Sequence, residues 1–322
     1  APRSPVISVV DLSGFVGGST AERAAVGEAI DRACRDVGFF TLVGHGIDPA
    51  MIEELHRVSI AFFDLPLEDR LAVAMPEPGY PYGYSALRAE ALNRSLGGEA
   101  PPDLKETFNV GPIAPPLRAL DEMDDRDERA VYAPNLWPLA LPELRPAVEA
   151  HYRAMAALSA TLMETFAVAL GLADDAFAGH IDRHGSALRL AHYPDVGAAS
   201  TVAGLRAGAH TDYGTLTILW TDGAPGLQVE SVDSSWCDVD AVDGGLIVNL
   251  GDLMQRWTND RWRSTMHRVV PTGRGRRLSI PFFHNANWDA HIECIIDDGT
   301  SARYPPTTAG RHLMDKFRST QA

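Results

Sequence analysis

Lysine is nearly missing from this sequence: of 28 basic residues only Lys105 and Lys316 are lysine, and the rest are arginine. With abundant alanine, that usage points to a high-GC bacterial genome rather than to a functional choice. Cysteine is almost as scarce. Cys34, Cys237 and Cys294 are the only three, an odd set without metal-ligand spacing, so a disulfide framework is excluded and buried free thiols in a reduced cytoplasm are expected. No run approaches the roughly eighteen consecutive apolar residues of a membrane span. The start, Ala1-Pro-Arg-Ser-Pro-Val, lacks the apolar stretch of a secretory signal. Positive charge is also in deficit. A formal net charge of −15 argues against general nucleic-acid binding, which needs Lys and Arg to displace phosphate counterions, and against docking on an anionic membrane.

What is present is an ordinary globular composition, 45% hydrophobic and 22% charged over 322 residues, enough to bury a sizeable core. Ile7–Leu12 and Phe39–Val43 read as strands. Between them, apolar residues at helical spacing predict a helix over 20–37, stopped by Gly38. Asp48-Pro49 supplies an N-cap with proline at the first helical position, opening a helix to Phe63. Residues 76–116, rich in Gly, Pro and Tyr, read as long loops. Leu141–Leu170 carries the strongest helical periodicity, closed by Gly171. After Ser186 short β-rich runs follow one another (Leu188–Tyr193, Thr215–Trp220, Leu227–Glu230, Leu246–Leu250, Met266–Val270, Leu278–Phe283 and Ile292–Ile296), separated by turn signals. Strands in such number without intervening helices imply an antiparallel sandwich or jelly roll, hence an α+β chain with a mainly β core.

His-x-Asp/Glu, a weak motif, occurs three times, at His180-Ile-Asp182, His210-Thr-Asp212 and His291-Ile-Glu293. On a strand, residues i and i+2 share a face; on a helix they diverge. His180 and Asp182 fall near a helix end and read as surface and capping residues. His210 and Asp212 lie where the β-rich half begins, and can converge on one cation. His267, in the strand-like Ser264-Thr-Met-His-Arg-Val, offers a second imidazole; two imidazoles and one carboxylate on one face, with positions left open, are what a non-haem Fe(II) oxygenase requires. Arg277 and Ser279 share a face of the next strand, where a guanidinium fork and a hydroxyl suit a carboxylate.

Gly208-Ala-His-Thr-Asp-Tyr-Gly-Thr-Leu-Thr-Ile-Leu, Asn249-Leu-Gly-Asp, Trp257-Thr-Asn, Ser264-Thr-Met-His-Arg-Val and Arg277-Leu-Ser-Ile-Pro-Phe-Phe together resemble the isopenicillin N synthase-like family of 2-oxoglutarate/Fe(II)-dependent dioxygenases. Phe39-Phe-Thr-Leu-Val-Gly-His-Gly-Ile, Asp103-Leu-Lys-Glu-Thr-Phe-Asn-Val-Gly and Leu188-Arg-Leu-Ala-His-Tyr-Pro extend the resemblance over nearly the whole chain, in the family's order. It implies a distorted double-stranded β-helix flanked by helices. The expected organisation is an N-terminal helical and strand region over 1–120, linking helices with a long backbone helix over 121–185, the catalytic β-helix core over 186–300 and a C-terminal helix over 301–322, all one unit. It implies His210, Asp212 and His267 as iron ligands, and Arg277, Ser279 and Tyr193 around the distal carboxylate of 2-oxoglutarate. Alignment with pocket-lining segments puts Tyr82, Tyr84, Phe108, Arg189 and Phe283 at the substrate. Ala191 stands where many plant relatives have a co-substrate-contacting asparagine, and Asp260 replaces the glycine usual after Thr-Asn.

The implied activity is oxidation of an unactivated C–H bond of a small molecule, by default hydroxylation, with desaturation, ring closure or epoxidation as variants. 2-Oxoglutarate and O₂ would be consumed and succinate and CO₂ released. A 2-oxoglutarate-independent oxidase of the isopenicillin N synthase type is the alternative within the family, since such oxidases keep the Arg-x-Ser pair for their own substrate. A non-catalytic β-helix binding protein is the alternative outside it. The expected setting is a cytoplasmic monomer of bacterial specialised metabolism.

Overall fold

Ser19 starts the first helix with a reciprocal cap: its hydroxyl accepts the Glu22 N–H and the Glu22 carboxylate accepts the Ser19 N–H at 2.7 Å. The computed structural model describes residues 7–77, 79–87, 103–114, 120, 123–195, 205–272, 275–296 and 299–321. Strand β1 (Ser8–Asp11) leads into α1 (Thr20–Asp36), whose Val26, Ile30, Ala33 and Cys34 are buried. Gly38 follows at φ +74°, with the Arg263 carbonyl so close that a Cβ would strike it, and the chain enters β2 (Phe39–Val43). Asp48 caps α2 (Pro49–Phe63) through its side chain, as the Asp-Pro pair predicts. Next come α3 (Leu67–Leu71), β3 (Gly83–Ser85), β4 (Glu106–Val110) and α4 (Arg126–Val131). The long helix α5 (Leu144–Ala169) begins three residues after the expected Leu141 and receives α1 and α2 on its flank. Short α6 (Ala178–Ile181) precedes the β-rich half.

That half holds β5 (Ala187–Tyr193), β6 (Ala207–His210), β7 (Leu216–Thr221), β8 (Leu227–Glu230), β9 (Trp236–Asp238) and β10 (Leu246–Leu250). After α7 (Asp252–Trp257) come β11 (His267–Val269), β12 (Arg277–His284), β13 (His291–Ile292), β14 (Thr307–Thr308) and α8 (Ala309–Gln321). One sheet orders its eight strands β1-β2-β10-β7-β12-β5-β4-β3; a second orders β6-β11-β8-β9. Except for the parallel β1/β2 pair, neighbours in both are antiparallel. Residues of the large sheet alternate between two interfaces. Leu188, Leu190, Ile218, Leu278, Ile280 and Phe282 pack with α5 in the main core, while Phe39 and Ile247 pack with Ala207, Leu227, Val229 and Val269 of the small sheet. The second interface is the interior of a distorted double-stranded β-helix, and the helices cover the opposite face of its larger sheet. None of the described helices is long and apolar enough to cross a membrane.

Three departures from the sequence reading have physical reasons. The span 76–116, read as loop, contains β3 and β4. All five residues of β4 are buried, so neither face alternates in polarity, and the polar Glu106, Thr107 and Asn109 disguise it. The Glu106 carboxylate is satisfied there by Arg70 and Tyr84 Oη at 2.5 Å and His192 Nδ1 at 2.8 Å. Residues 78, 88–102 and 115–116 of that span lie outside the described ones. The β-rich half is interrupted by α7, whose single apolar turn is too short to show helical periodicity. Of the expected strand 292–296 only Ile292 is in one, paired with Thr307 of β14.

Candidate metal centre

His210 ends β6 and lies opposite His267, the first residue of β11, across an antiparallel pair. Their rings stand 4.3 Å apart between centroids. Asp212 is two residues on, past the end of β6 rather than on a strand with His210. Its turn is held by backbone: the Asp252 N–H at the start of α7 donates to the Asp212 carbonyl at 2.8 Å, and the Gly251 N–H to the Thr215 carbonyl at 3.0 Å. Glycine is required here by close approach. A Cβ on Gly251 would meet the Gly214 carbonyl oxygen at 2.3 Å, and one on Gly214 would meet the His284 carbonyl oxygen at 2.6 Å.

Side-chain hydrogen bonds then aim the donors. His210 Nδ1 donates to the Gly208 carbonyl at 2.7 Å and His267 Nδ1 to the Thr265 carbonyl at 3.1 Å, leaving both Nε2 lone pairs facing inward. Asp212 Oδ2 accepts Thr217 Oγ1 at 2.5 Å and Asn249 Nδ2 at 2.7 Å, leaving Oδ1 for the centre. Asp212 Oδ1 is 4.0 Å from His210 Nε2 and 3.8 Å from His267 Nε2. These separations are too long for hydrogen bonds and suit three donors around one cation. All three ligand atoms lie within 4.8 Å of one another, and no other such group of His, Cys, Asp and Glu occurs among the described residues.

Burial, with the charge of His267 beside it, pushes the His210 pKa down to about 3. Burial works to raise Asp212, but the two histidines and the hydrogen bonds from Asn249 and Thr217 outweigh it and hold the carboxyl below its usual range. At neutral pH His210 is therefore neutral and Asp212 ionised, the protonation states that a divalent cation needs. Phe39 sets its ring edge-on to His267 at 5.3 Å, so the centre is walled by the apolar interior on that side.

Register places the remaining candidates. Arg277 pairs with Tyr193 and Ser279 with Ala191, so all four share the interior face. The Arg277 guanidinium lies 5.1 Å from the Tyr193 ring centroid and its Nε donates to the Ala224 carbonyl at 3.3 Å. Arg189 and Phe283 share that face, with Arg189 5.8 Å from the Phe283 ring and bonded through Nε to Asn109 Oδ1 at 2.7 Å. The other three substrate candidates do not join them. Phe108 pairs with Leu190 and Tyr84 with Phe108, so both point to the helix layer, where Phe108 packs on Phe62 at 4.7 Å. Tyr82 is buried with its hydroxyl on the Val131 carbonyl. One residue of register separates the two faces, and β4 instead presents Thr107 and Asn109 inward.

The weaker motifs resolve as well. His291 and Glu293 bond to each other at 2.9 Å in solvent. His180 packs its ring against Trp257 at 5.1 Å rather than lying free at the surface, and Asp182 accepts the Asn287 amide at 2.6 Å. Sequence reasoning quoted Thr217 and Asn249 within the recognised strings but gave them no role, because their facing Asp212 follows from the pairing of β7 with β10. It missed Arg206, which precedes β6.

Residues 7–140 match the family model of the N-terminal region of non-haem dioxygenases in morphine synthesis, and residues 184–286 match that of the 2OG-Fe(II) oxygenase superfamily. The chain is 32% identical to validamycin A dioxygenase of Streptomyces hygroscopicus subsp. limoneus, over 96% of this chain and 85% of that protein. It is 32% identical to a 2-oxoglutarate-Fe(II) type oxidoreductase of Emericella nidulans, over 96% and 88% of the two chains. A full-length Neurospora crassa protein crystallised with α-ketoglutarate superposes with a TM-score of 0.86 at 29% identity, covering 99% of this chain and 98% of that one. Sequence, fold and a converging His-Asp-His trio agree: the chain belongs to the 2OG-Fe(II) oxygenase superfamily and is a 2-oxoglutarate- and Fe(II)-dependent dioxygenase.

Proposed function

We propose that His210, Asp212 and His267 hold Fe(II), that Arg277, Ser279 and Tyr193 hold the distal carboxylate of 2-oxoglutarate, and that the enzyme hydroxylates an unactivated C–H bond of a small molecule. The observation that carries this reading is the convergence of two imidazole Nε2 atoms and one carboxylate oxygen whose other polar atoms are all engaged by protein. Bound there, Fe(II) supplies the redox chemistry that couples O₂ and 2-oxoglutarate to substrate oxidation, with succinate and CO₂ released. The chain's own residues fix three ligand atoms on one side, while Phe39, Val229, Ile247 and Val269 keep water from the interior. Arg277 offers a charge-assisted fork and Ser279 a hydroxyl on the same face.

Phe283 pairs with Thr217, which holds Asp212, and shares the interior face with Arg189 and Asn109, so an apolar ring and polar side chains stand together beside the centre and suit a small molecule with polar groups. A Neurospora crassa neighbour crystallised with thymine supports a small-molecule substrate, and a Streptomyces relative named for validamycin A supports bacterial specialised metabolism as the setting. A cytoplasmic monomer without a nucleic-acid partner belongs to the same reading, in keeping with a net charge of −15.

Alanine at His210, Asp212 or His267 is expected to abolish Fe(II)-dependent consumption of 2-oxoglutarate in folded protein. Wild-type turnover in any one metal-checked variant removes that residue from the ligand set.

A further inference from the structure

A guanidinium taken out of water needs an anion or a full set of acceptors, and two placed side by side need one more urgently. The β-helix interior contains such a pair. Arg206 is 5% exposed and Arg277 1%. Both lie against one ring: their guanidinium carbons are 6.0 and 5.1 Å from the Tyr193 centroid. Protein acceptors for them are few. Arg206 Nη2 donates to the Gly275 carbonyl at 2.8 Å and Arg277 Nε to the Ala224 carbonyl at 3.3 Å, while Arg277 Nη1 is buried without a partner among the described residues. Neither forms an ion pair among the described residues. Two acids, Asp222 and Asp195, act on Arg206 from nearby without forming an ion pair with it; Asp222 is committed to backbone, its carboxylate taking the Leu278 N–H at 2.7 Å and the Ala224 N–H at 3.1 Å. Burial first, then the charge of Arg277, holds Arg206 below the usual arginine value. The arginine remains protonated there, so loss of a proton does not relieve the repulsion.

Resting on the co-substrate reading above, we propose that Arg206 is a second co-substrate-binding residue. Together with Arg277 it receives the distal carboxylate of a dicarboxylic oxoacid beside Tyr193. The arrangement follows from the chain's course. Arg206 immediately precedes β6, which ends on His210, so one five-residue stretch of chain carries a proposed metal ligand and a proposed carboxylate ligand. Gly275, which accepts from Arg206, lies two residues before Arg277, so the same hydrogen bond ties the two guanidinium-bearing segments together. Two guanidiniums around one carboxylate select a dicarboxylate over a monocarboxylate of the same oxoacid class.

The test is calorimetric binding of 2-oxoglutarate and of 2-oxobutyrate, which lacks the distal carboxylate, to the Fe(II)-loaded protein without O₂. Arg206→Met is expected to weaken 2-oxoglutarate about tenfold or more, the scale of one charge-assisted hydrogen bond, and to leave 2-oxobutyrate within about twofold. Arg206→Lys is expected to recover part of the loss. Equal weakening of both ligands, or unchanged 2-oxoglutarate affinity in the folded variant, overturns the role of Arg206. Arg277→Met separates the two levels: if it too leaves 2-oxoglutarate unaffected, the co-substrate reading fails and not Arg206 alone. A wild-type measurement guards against a misfolded variant. Succinate is expected to raise the melting temperature of the metal-free protein and propionate to leave it unchanged; equal effects contradict a carboxylate site built from two arginines.

Discussion

Asn249 shows how much of a metal centre depends on side chains that never touch the metal. Its amide holds Asp212 Oδ2 at 2.7 Å, and Thr217 holds the same oxygen at 2.5 Å, so the carboxylate can turn only Oδ1 to the centre. Loss of such a partner costs on the order of 10–100-fold in metal affinity. Asn249→Ala is therefore expected to weaken Fe(II) binding by about that factor while the fold persists, read by anaerobic Fe(II) titration with circular dichroism as the control. Unchanged affinity would mean that Asp212 is oriented by something else. At this scale the sequence was informative about charge-bearing residues and silent about their supports. His210, Asp212 and His267 stand in recognisable strings. Asn249 and Thr217 acquire their role from strand pairing, with Asn249 opposite Thr217 in β10 and β7, and pairing is not written locally.

At the scale of elements, helices with a cap and a period were legible almost to the residue. Asp48-Pro49 opens α2 where expected, because capping is a local interaction, and α1 runs where its apolar spacing puts it. β4 was not legible, because a strand buried on both faces and satisfied by Arg70, Tyr84 and His192 has no polarity rhythm. That omission carried into the site: Tyr84 and Phe108 were expected at the substrate, and register turns both to the helix layer. The junction of β7 and β10 was also hidden, although it sets the Asp212 turn. Gly214→Ala would bring a Cβ to 2.6 Å from the His284 carbonyl oxygen, a backbone atom. Overpacking of this kind costs about 1–3 kcal/mol. The variant is expected to melt several degrees lower than wild type and to bind Fe(II) more weakly; an unchanged melting temperature would show that the junction has slack.

For the whole molecule, the division of labour lies between the two faces of one eight-stranded sheet. One face is a helix-backed core that runs from Val10 to Ala309. The other, with the small sheet, encloses a trio of metal-ligand atoms, paired arginines and an apolar wall. Composition could place the chain among acidic globular proteins and the ordered series of motifs could place it in its family, but which residues meet inside the β-helix followed only from register. The central claim is that this interior would hold Fe(II) through His210, Asp212 and His267 and 2-oxoglutarate in contact with it. It is tested most directly by the visible spectrum of the Fe(II)-loaded protein without O₂, before and after adding 2-oxoglutarate. The account predicts a new charge-transfer band in wild type and none in His210→Ala. Iron demonstrably bound to wild type with no band on addition would contradict it and favour an oxidase that uses no 2-oxoglutarate.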